Sequence, residues 1–224
     1  MSNAITRRRV FITGGTGFMG SRLIAALLPR GHAVRALLRK GSEGKLPPGC
    51  EAVVGDPLDG ATYAARVPPC DTFVQLVGVT HPNPSKAAEF RTVDFSSTQA
   101  AVKAAREASI QHFVYVSVAQ PAPVMKCYVQ VRAQCEEMIR ASGLNATILR
   151  PWYVLGPGRR WPYLLVPFYW LAERVPATRE SAQRLGLVTH EQMIGALVGA
   201  IENPTRGIRI LEVPQIRQSM LGAN

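Results

Sequence analysis

Tyr128 and Arg132 stand four residues apart in the stretch YVQVR. On a helix that spacing places two side chains on one face, so a phenol would sit beside a permanent cation, the arrangement of a proton donor and its activating charge. The same two residues on a solvated face would be a surface tyrosine with an arginine beside it, and the pentapeptide leaves both readings open. A second group of residues addresses phosphate. The stretch VFITGGTGFMGSRL at 10–23 runs from a β-branched segment through glycines at 14, 15, 17 and 20 into a helical pattern. Gly14 permits a tight turn, Gly17 lets backbone approach a pyrophosphate, and Gly20 lets helix pack on strand, so that the helix N-terminus faces the anion. A glycine-rich turn alone says little. Here the strand before it and the helix after it supply the context of a dinucleotide site, with Thr16, Phe18 and Met19 completing the turn.

Which dinucleotide is bound depends on the end of the next strand, AVRALLRK at 33–40. A site for NAD would place a carboxylate there to hold the ribose hydroxyls; this chain has Leu38 followed by Arg39 and Lys40. A guanidinium can grip a 2′-phosphate through two hydrogen bonds. NADP(H) is therefore the expected cofactor, with NAD the alternative if Arg39 and Lys40 are only a solvated charge run.

These residues need a scaffold, and the chain supplies one. Runs rich in β-branched residues (VFIT, AVRALL, EAVVG, TFVQLVG, HFVYVSV, ATILR, RLGLVT, IRILEV) alternate with helical patterns after residue 20, near 86–108, near 128–141 and at 190–202. That alternation predicts βαβ units and a parallel sheet. Several strands are apolar throughout, as expected where helices cover both faces. Gly31, Gly143 and Gly207 follow helical patterns, where a left-handed cap is required. The expected fold is α/β, a Rossmann-type doubly wound parallel sheet formed by residues 5–224 as one domain, with a proline- and aromatic-rich insertion at 155–185 on the substrate side.

Composition narrows the remaining classes. With 224 residues, 47% hydrophobic and 18% charged, the chain can bury one sizeable core. The apolar stretch WPYLLVPFYWLA at 161–172 holds two prolines and is shorter than the roughly 20 residues needed to span a bilayer. No N-terminal stretch resembles a secretory leader, and Ser2-Asn3-Ala4 reads as a vector-derived remnant. Cys50, Cys70, Cys127 and Cys135 show neither CxxC nor zinc spacing, so no metal is expected and a reducing cytoplasm fits. The net charge of +11 is spread along the chain, without a nucleic-acid-binding motif, which disfavours nucleic acid. Arg159, Arg160 and Arg174 near the aromatic stretch leave weak membrane-surface contact conceivable.

Taken together, TGGTGFMG, GDPLD at 55–59, VQLVG at 74–78, YVQVR, and ILRPWYVLGPG at 148–158 resemble an atypical, extended-type short-chain dehydrogenase/reductase. That group includes nucleotide-sugar epimerases, NmrA-like proteins and the Rossmann subunit of respiratory complex I. The resemblance implies that Asp56 and Pro57 lie along the adenine, although Asp56 could equally be a turn aspartate. It implies that Val77, Gly78 and Val79 flank ribose and nicotinamide, and that Pro151, Tyr153 and Val154 close over the nicotinamide end. It assigns Tyr128 as acid or base, Arg132 to orient ribose and bias the phenol, and Ser117 to bind a carbonyl oxygen. Two departures stand out. Arg132 occupies the position of the family's lysine, and a guanidinium is broader and does not relay protons. The family's serine aligns with Val118, leaving Ser117 one position early on a strand whose neighbours face opposite ways. The implied function is an NADP(H)-dependent oxidoreductase acting on a small apolar carbonyl or quinone-like substrate. The alternative is a non-catalytic NAD(P)-binding regulatory or assembly protein.

Overall fold

The fold was analysed in a computed structural model, which describes residues 6–80, 82–156 and 182–219. Among the described residues, nine strands and six α-helical segments form the framework. Strands β1 (Arg9–Thr13), β2 (Ala33–Leu38), β3 (Glu51–Val54), β4 (Thr72–Gln75), β5 (His112–Val116), β6 (Ala146–Arg150) and β9 (Ile208–Glu212) make one sheet in the order β3-β2-β1-β4-β5-β6-β9. Every pairing in it is parallel. β7 (Tyr153–Leu155) and β8 (Leu187–Thr189) form a separate parallel pair.

The helices are α1 (Gly20–Leu27), α2 (Ala87–Glu89), α3 (Ser96–Glu107), α4 (Lys126–Ala141), α5 (His190–Glu202) and the short α6 (Val213–Gln218), and a π turn, Phe90–Phe95, joins α2 to α3. Each predicted strand and helix falls where the apolar runs place it. Gly31, Gly143 and Gly207 adopt left-handed backbone, with φ of 81°, 75° and 72°.

Alternation along the strands divides the core in two. Val10 and Ile12 of β1, Val34 and Ala36 of β2, and Leu149 of β6 pack with α1, α5 and α6 on one face. Phe11, Leu37, Phe73, Phe113 and Ile148 pack with α3 and α4 on the other. On that second face a row of rings crosses the central strands. Tyr63 meets Phe11 at 5.8 Å between centroids, Phe11 meets Phe73 at 5.2 Å, and Phe73 meets Phe113 at 5.4 Å. All four are fully buried, and truncating a buried aromatic ring to alanine costs about 3–5 kcal/mol in proteins generally. The row holds the central strands in register, and the site lies where those strands end. The expected insertion at 155–185 falls mainly on 157–181, outside the described residues.

Candidate functional site

The chain enters the site at the end of β1. Gly17 N–H donates to the Gly14 carbonyl at 3.0 Å, and Gly14 has φ 76°. A Cβ on Gly20 would lie 2.2 Å from the Gly14 oxygen, so any side chain there forces α1 away from the strand end. Met19 caps α1 without a side-chain hydrogen bond, and no carboxylate stands in the helix's first turn. Ser21 N–H and Leu23 N–H of the first turn bond back to the Gly17 and Met19 carbonyls, and with no side-chain cap or carboxylate at this helix start a diphosphate fits beside the glycine turn.

Beyond this turn a cavity of about 390 Å³ opens at the C-terminal ends of β1, β4, β5 and β6. That is the crevice in which doubly wound sheets bind ligands. Gly14, Gly17, Phe18, Met19 and Gly20 line one end; Gly78, Val79, Ser117, Tyr128, Arg132, Pro151, Tyr153 and Val154 line the rest. Residues drawn from five separate stretches of sequence therefore meet at one hollow. Leu76, Thr80, Pro82, Val116, Val118 and Trp152 also line it. Val118 was read in the sequence as the place of the family's serine and Trp152 as part of the segment over the nicotinamide end; Leu76, Thr80, Pro82 and Val116 were not assigned a site role, because residues flanking a strand end carry no chemical signature of their own.

Thr16, Arg39, Asp56, Pro57 and Val77 lie outside the lining of this cavity. Arg39 and Lys40 are exposed just past β2, and the Arg39 carbonyl accepts from Ser42 N–H. Asp56 is exposed, and its Oδ1 accepts from Leu58 N–H at 2.9 Å. That bond is the local turn contact, the alternative to an adenine contact.

Tyr128 and Arg132 share one face of α4, as their spacing predicts. The ring of Tyr128 lies 4.9 Å from that of Phe90, and the guanidinium carbon of Arg132 lies 5.2 Å from the Tyr128 centroid. Arg132, however, is enclosed, with 6% of its surface exposed. Its Nη1 donates to the Tyr115 hydroxyl at 3.0 Å and to the Val116 carbonyl at 2.9 Å, while Nη2 pairs with Asp94 Oδ1. Both terminal nitrogens of Arg132 thus engage internal partners, while the residue also lines the cavity where the expected ribose contact would fall. Burial pushes the Tyr128 phenol above its ordinary range, with Arg132 opposing the rise and Asp94 adding to it.

β5 ends at Val116, which would free Ser117 from strand alternation. Its hydroxyl donates to Glu136 Oε1 at 2.6 Å, and the residue lines the cavity. Glu136, buried on α4, also accepts from Gln120 Nε2 at 2.6 Å and from Arg150 Nη2 at 2.6 Å, and Arg150 reaches Glu212 at 2.8 Å. The network ties α4 to the ends of β5, β6 and β9. Its sequence signal was an acidic residue eight positions after Tyr128, on the helix's inner face, and it was missed because Glu136 looks like any helical surface glutamate. Asp94 was missed likewise. Among the described residues no group of His, Cys, Asp and Glu side chains could hold a metal, and no helix is long and apolar enough to cross a membrane.

Comparison with known proteins decides the family. A family model described as NAD(P)H-binding matches residues 14–160, well over half of the chain. The chain belongs to the NAD(P)H-binding family. Among curated relatives, this NAD(P)H-binding protein is 27% identical over 170 residues to 4-hydroxy-2-methyl-3-oxo-4-farnesyl-3,4-dihydroquinoline-1-oxide ketoreductase of Stigmatella aurantiaca, covering 66% of this chain and 51% of the relative. It is 28% identical over 218 residues to ceramide reductase of Caulobacter vibrioides, covering 93% and 65% respectively. A 115-residue stretch is 35% identical to 3-beta-hydroxysteroid dehydrogenase of Mycolicibacterium neoaurum, covering 49% and 31%. The chain thus spans about half the length of the ketoreductase and less than two thirds of each of these relatives. The solved structure of the Bordetella bronchiseptica enzyme WbmH in complex with NAD+ superposes with a TM-score of 0.69 at 21% identity, covering 92% of this chain and 76% of that one. That likeness shows the Rossmann-type fold. The extended short-chain dehydrogenase/reductase resemblance read from the glycine turn agrees with it, and the dinucleotide of this NAD(P)H-binding protein is a pyridine coenzyme.

Proposed function

We propose that this NAD(P)H-binding protein is a reductase of the short-chain dehydrogenase/reductase type, preferring NADP(H) and acting on a small apolar carbonyl or quinone-like substrate. One observation carries the reading: Tyr128 lines the same cavity as the glycine turn. A pyridine coenzyme held by the glycine turn would bring hydride chemistry to this cavity. Tyr128 gives its proton to the carbonyl oxygen, and solvent then restores the phenol. A phenol holds its proton at neutral pH, as the donor in a reduction must; oxidation would call for the phenolate. Ser117 and Arg132 serve as braces, Ser117 on Glu136 and Arg132 on Asp94. Val79, Val118 and Trp152, apolar residues of the same cavity, help exclude water from the reacting atoms.

The preference for NADP(H) rests on Arg39, which is exposed and whose guanidinium has no described partner. The relatives named as reductases support this direction for their own substrates alone.

A second reading, a non-catalytic NAD(P)-binding regulator or assembly protein, is favoured by the commitment of Ser117 and Arg132 to internal bonds. Turnover separates the two. A carbonyl and quinone panel with NADPH should give coenzyme oxidation by the wild type, and Tyr128→Phe should lower kcat by about 10²–10⁴-fold with coenzyme affinity unchanged. Coenzyme fluorescence showing binding, with no oxidation of NADPH by any member of the panel, would favour the second reading. Full turnover by Tyr128→Phe would remove the tyrosine from the chemistry.

A further inference from the structure

We propose that Asp94 is a positioning residue of this site: its buried carboxylate fixes the Arg132 guanidinium against the 76–80 loop and offsets the positive charge that Tyr128 would otherwise face. Asp94 lies in the π turn Phe90–Phe95 and has no exposed surface. A π turn inserts an extra residue into the helical ladder and re-aims side chains, often at functional sites. Here it delivers one carboxylate to two elements at once. Oδ2 accepts from Val79 N–H at 3.1 Å, and Oδ1 pairs with Arg132 Nη2.

The fit around the pair is tight. A Cβ on Gly78 would lie 2.3 Å from Arg132 Nη2 and 2.9 Å from Asp94 Oδ1, so the loop can pass over the ion pair only with glycine at that place. Asp94 thereby joins the loop that floors the cavity, the end of β5 through Arg132, and the helix that carries Tyr128. The charge argument follows from the same geometry. The titratable and charged groups acting on Tyr128 are Arg132 and Cys135 on its own helix and Asp94 on the π turn, while Tyr115 of β5 reaches it through Arg132. A lone guanidinium at 5.2 Å would favour phenolate strongly. Paired with a carboxylate, it presents little net charge, and the phenol keeps its proton. This is how a chain with arginine in place of lysine can retain a neutral tyrosine at the cavity.

The inference deepens the reductase reading, but its test does not depend on turnover. Tyrosinate absorbance would be titrated in the wild type and in Asp94→Asn, each with and without Tyr128→Phe, so that the difference isolates Tyr128. The Asp94→Asn exchange keeps the size and removes the charge, and it leaves one acceptor oxygen where the carboxylate supplies two, so either Val79 N–H or Arg132 Nη2 loses its partner. The Tyr128 ionisation is expected to move down by about 1–3 pH units in Asp94→Asn. A folded Asp94→Asn protein whose Tyr128 ionises within a few tenths of a unit of the wild type overturns the proposal. Should Asp94→Asn not fold, Asp94→Asn combined with Arg132→Gln, neutral at both positions, is expected to fold and to return the Tyr128 ionisation to the wild-type value. Failure of both to fold assigns the pair to the core alone and also overturns it. A shifted titration with no turnover on any substrate would leave Asp94 in its role and count against the reductase reading instead.

Discussion

Arg39 leaves β2 as an exposed cation whose guanidinium has no described partner, beside the place where the adenosine ribose of a dinucleotide runs in this architecture. A hydrogen bond to a charged group contributes about 1.5–3 kcal/mol, so Arg39→Ala should weaken NADPH binding roughly tenfold or more. NADH affinity should stay within about twofold, because the missing 2′-phosphate is the only group involved. Parallel fluorescence titrations with the two coenzymes check this, and equal losses for both would reduce Arg39 to a solvated charge. Residues were unevenly legible in the sequence. The helical pairing of Tyr128 with Arg132 could be read from spacing alone. The engagement of Arg132 with Asp94 could not, because the two are 38 positions apart and meet only through the packing of α4 on the π turn. For Ser117 the end of the strand could be anticipated; what attracts its hydroxyl is Glu136, a residue whose inward aim depends on Arg150 and hence on β6.

At the scale of elements, the strands at the β5 side of the sheet carry a pH-sensitive joint far from the cavity's glycine turn. His112 of β5 is buried, and its Nε2 lies 3.0 Å from Thr147 Oγ1 on β6, which also accepts from Arg209 of β9 at 3.1 Å. Burial pushes the imidazole down to about 4, and Arg209 and Arg8 add to the fall. In the unfolded chain His112 takes up a proton near pH 6.5. Between about pH 6.5 and 4 the unfolded state therefore binds more protons than the folded one, and stability falls as pH falls through that window. Above it the contribution is fully present, and below about pH 4 this group adds no further slope. The size is on the order of 3 kcal/mol. Denaturation midpoints of the wild type and His112→Gln, compared across that range, should diverge in slope, the variant being flatter; parallel slopes would contradict it. Most elements were legible because apolar runs covered on both faces, such as FVYV and ATIL, can only be buried strands here. The three-residue β7 follows β6 too closely to leave a turn signal, α6 is too short to show a period, and the π turn breaks the 3.6-residue period that a helix reading assumes.

For the molecule as a whole, the order β3-β2-β1-β4-β5-β6-β9 brings the ends of β1 and β4 together at the point where the chain's winding reverses direction. The glycine turn, the 76–80 loop and the first turns of α4 converge there because all the sheet's strands point the same way. That convergence was legible from the alternation of strands and helices. The net charge of +11 was not informative about partners, since basic residues such as Arg35, Arg150 and Arg132 are consumed in internal ion pairs while Arg39 and Lys40 face solvent. The account rests on the cavity beside the glycine turn and the start of α1, which has no side-chain cap, holding a pyridine dinucleotide. Calorimetric titration of the intact protein with NADPH and then NADH tests it most directly. Saturable heat with one coenzyme per chain, and tighter binding of NADPH, is the predicted result; no heat with either coenzyme would contradict it.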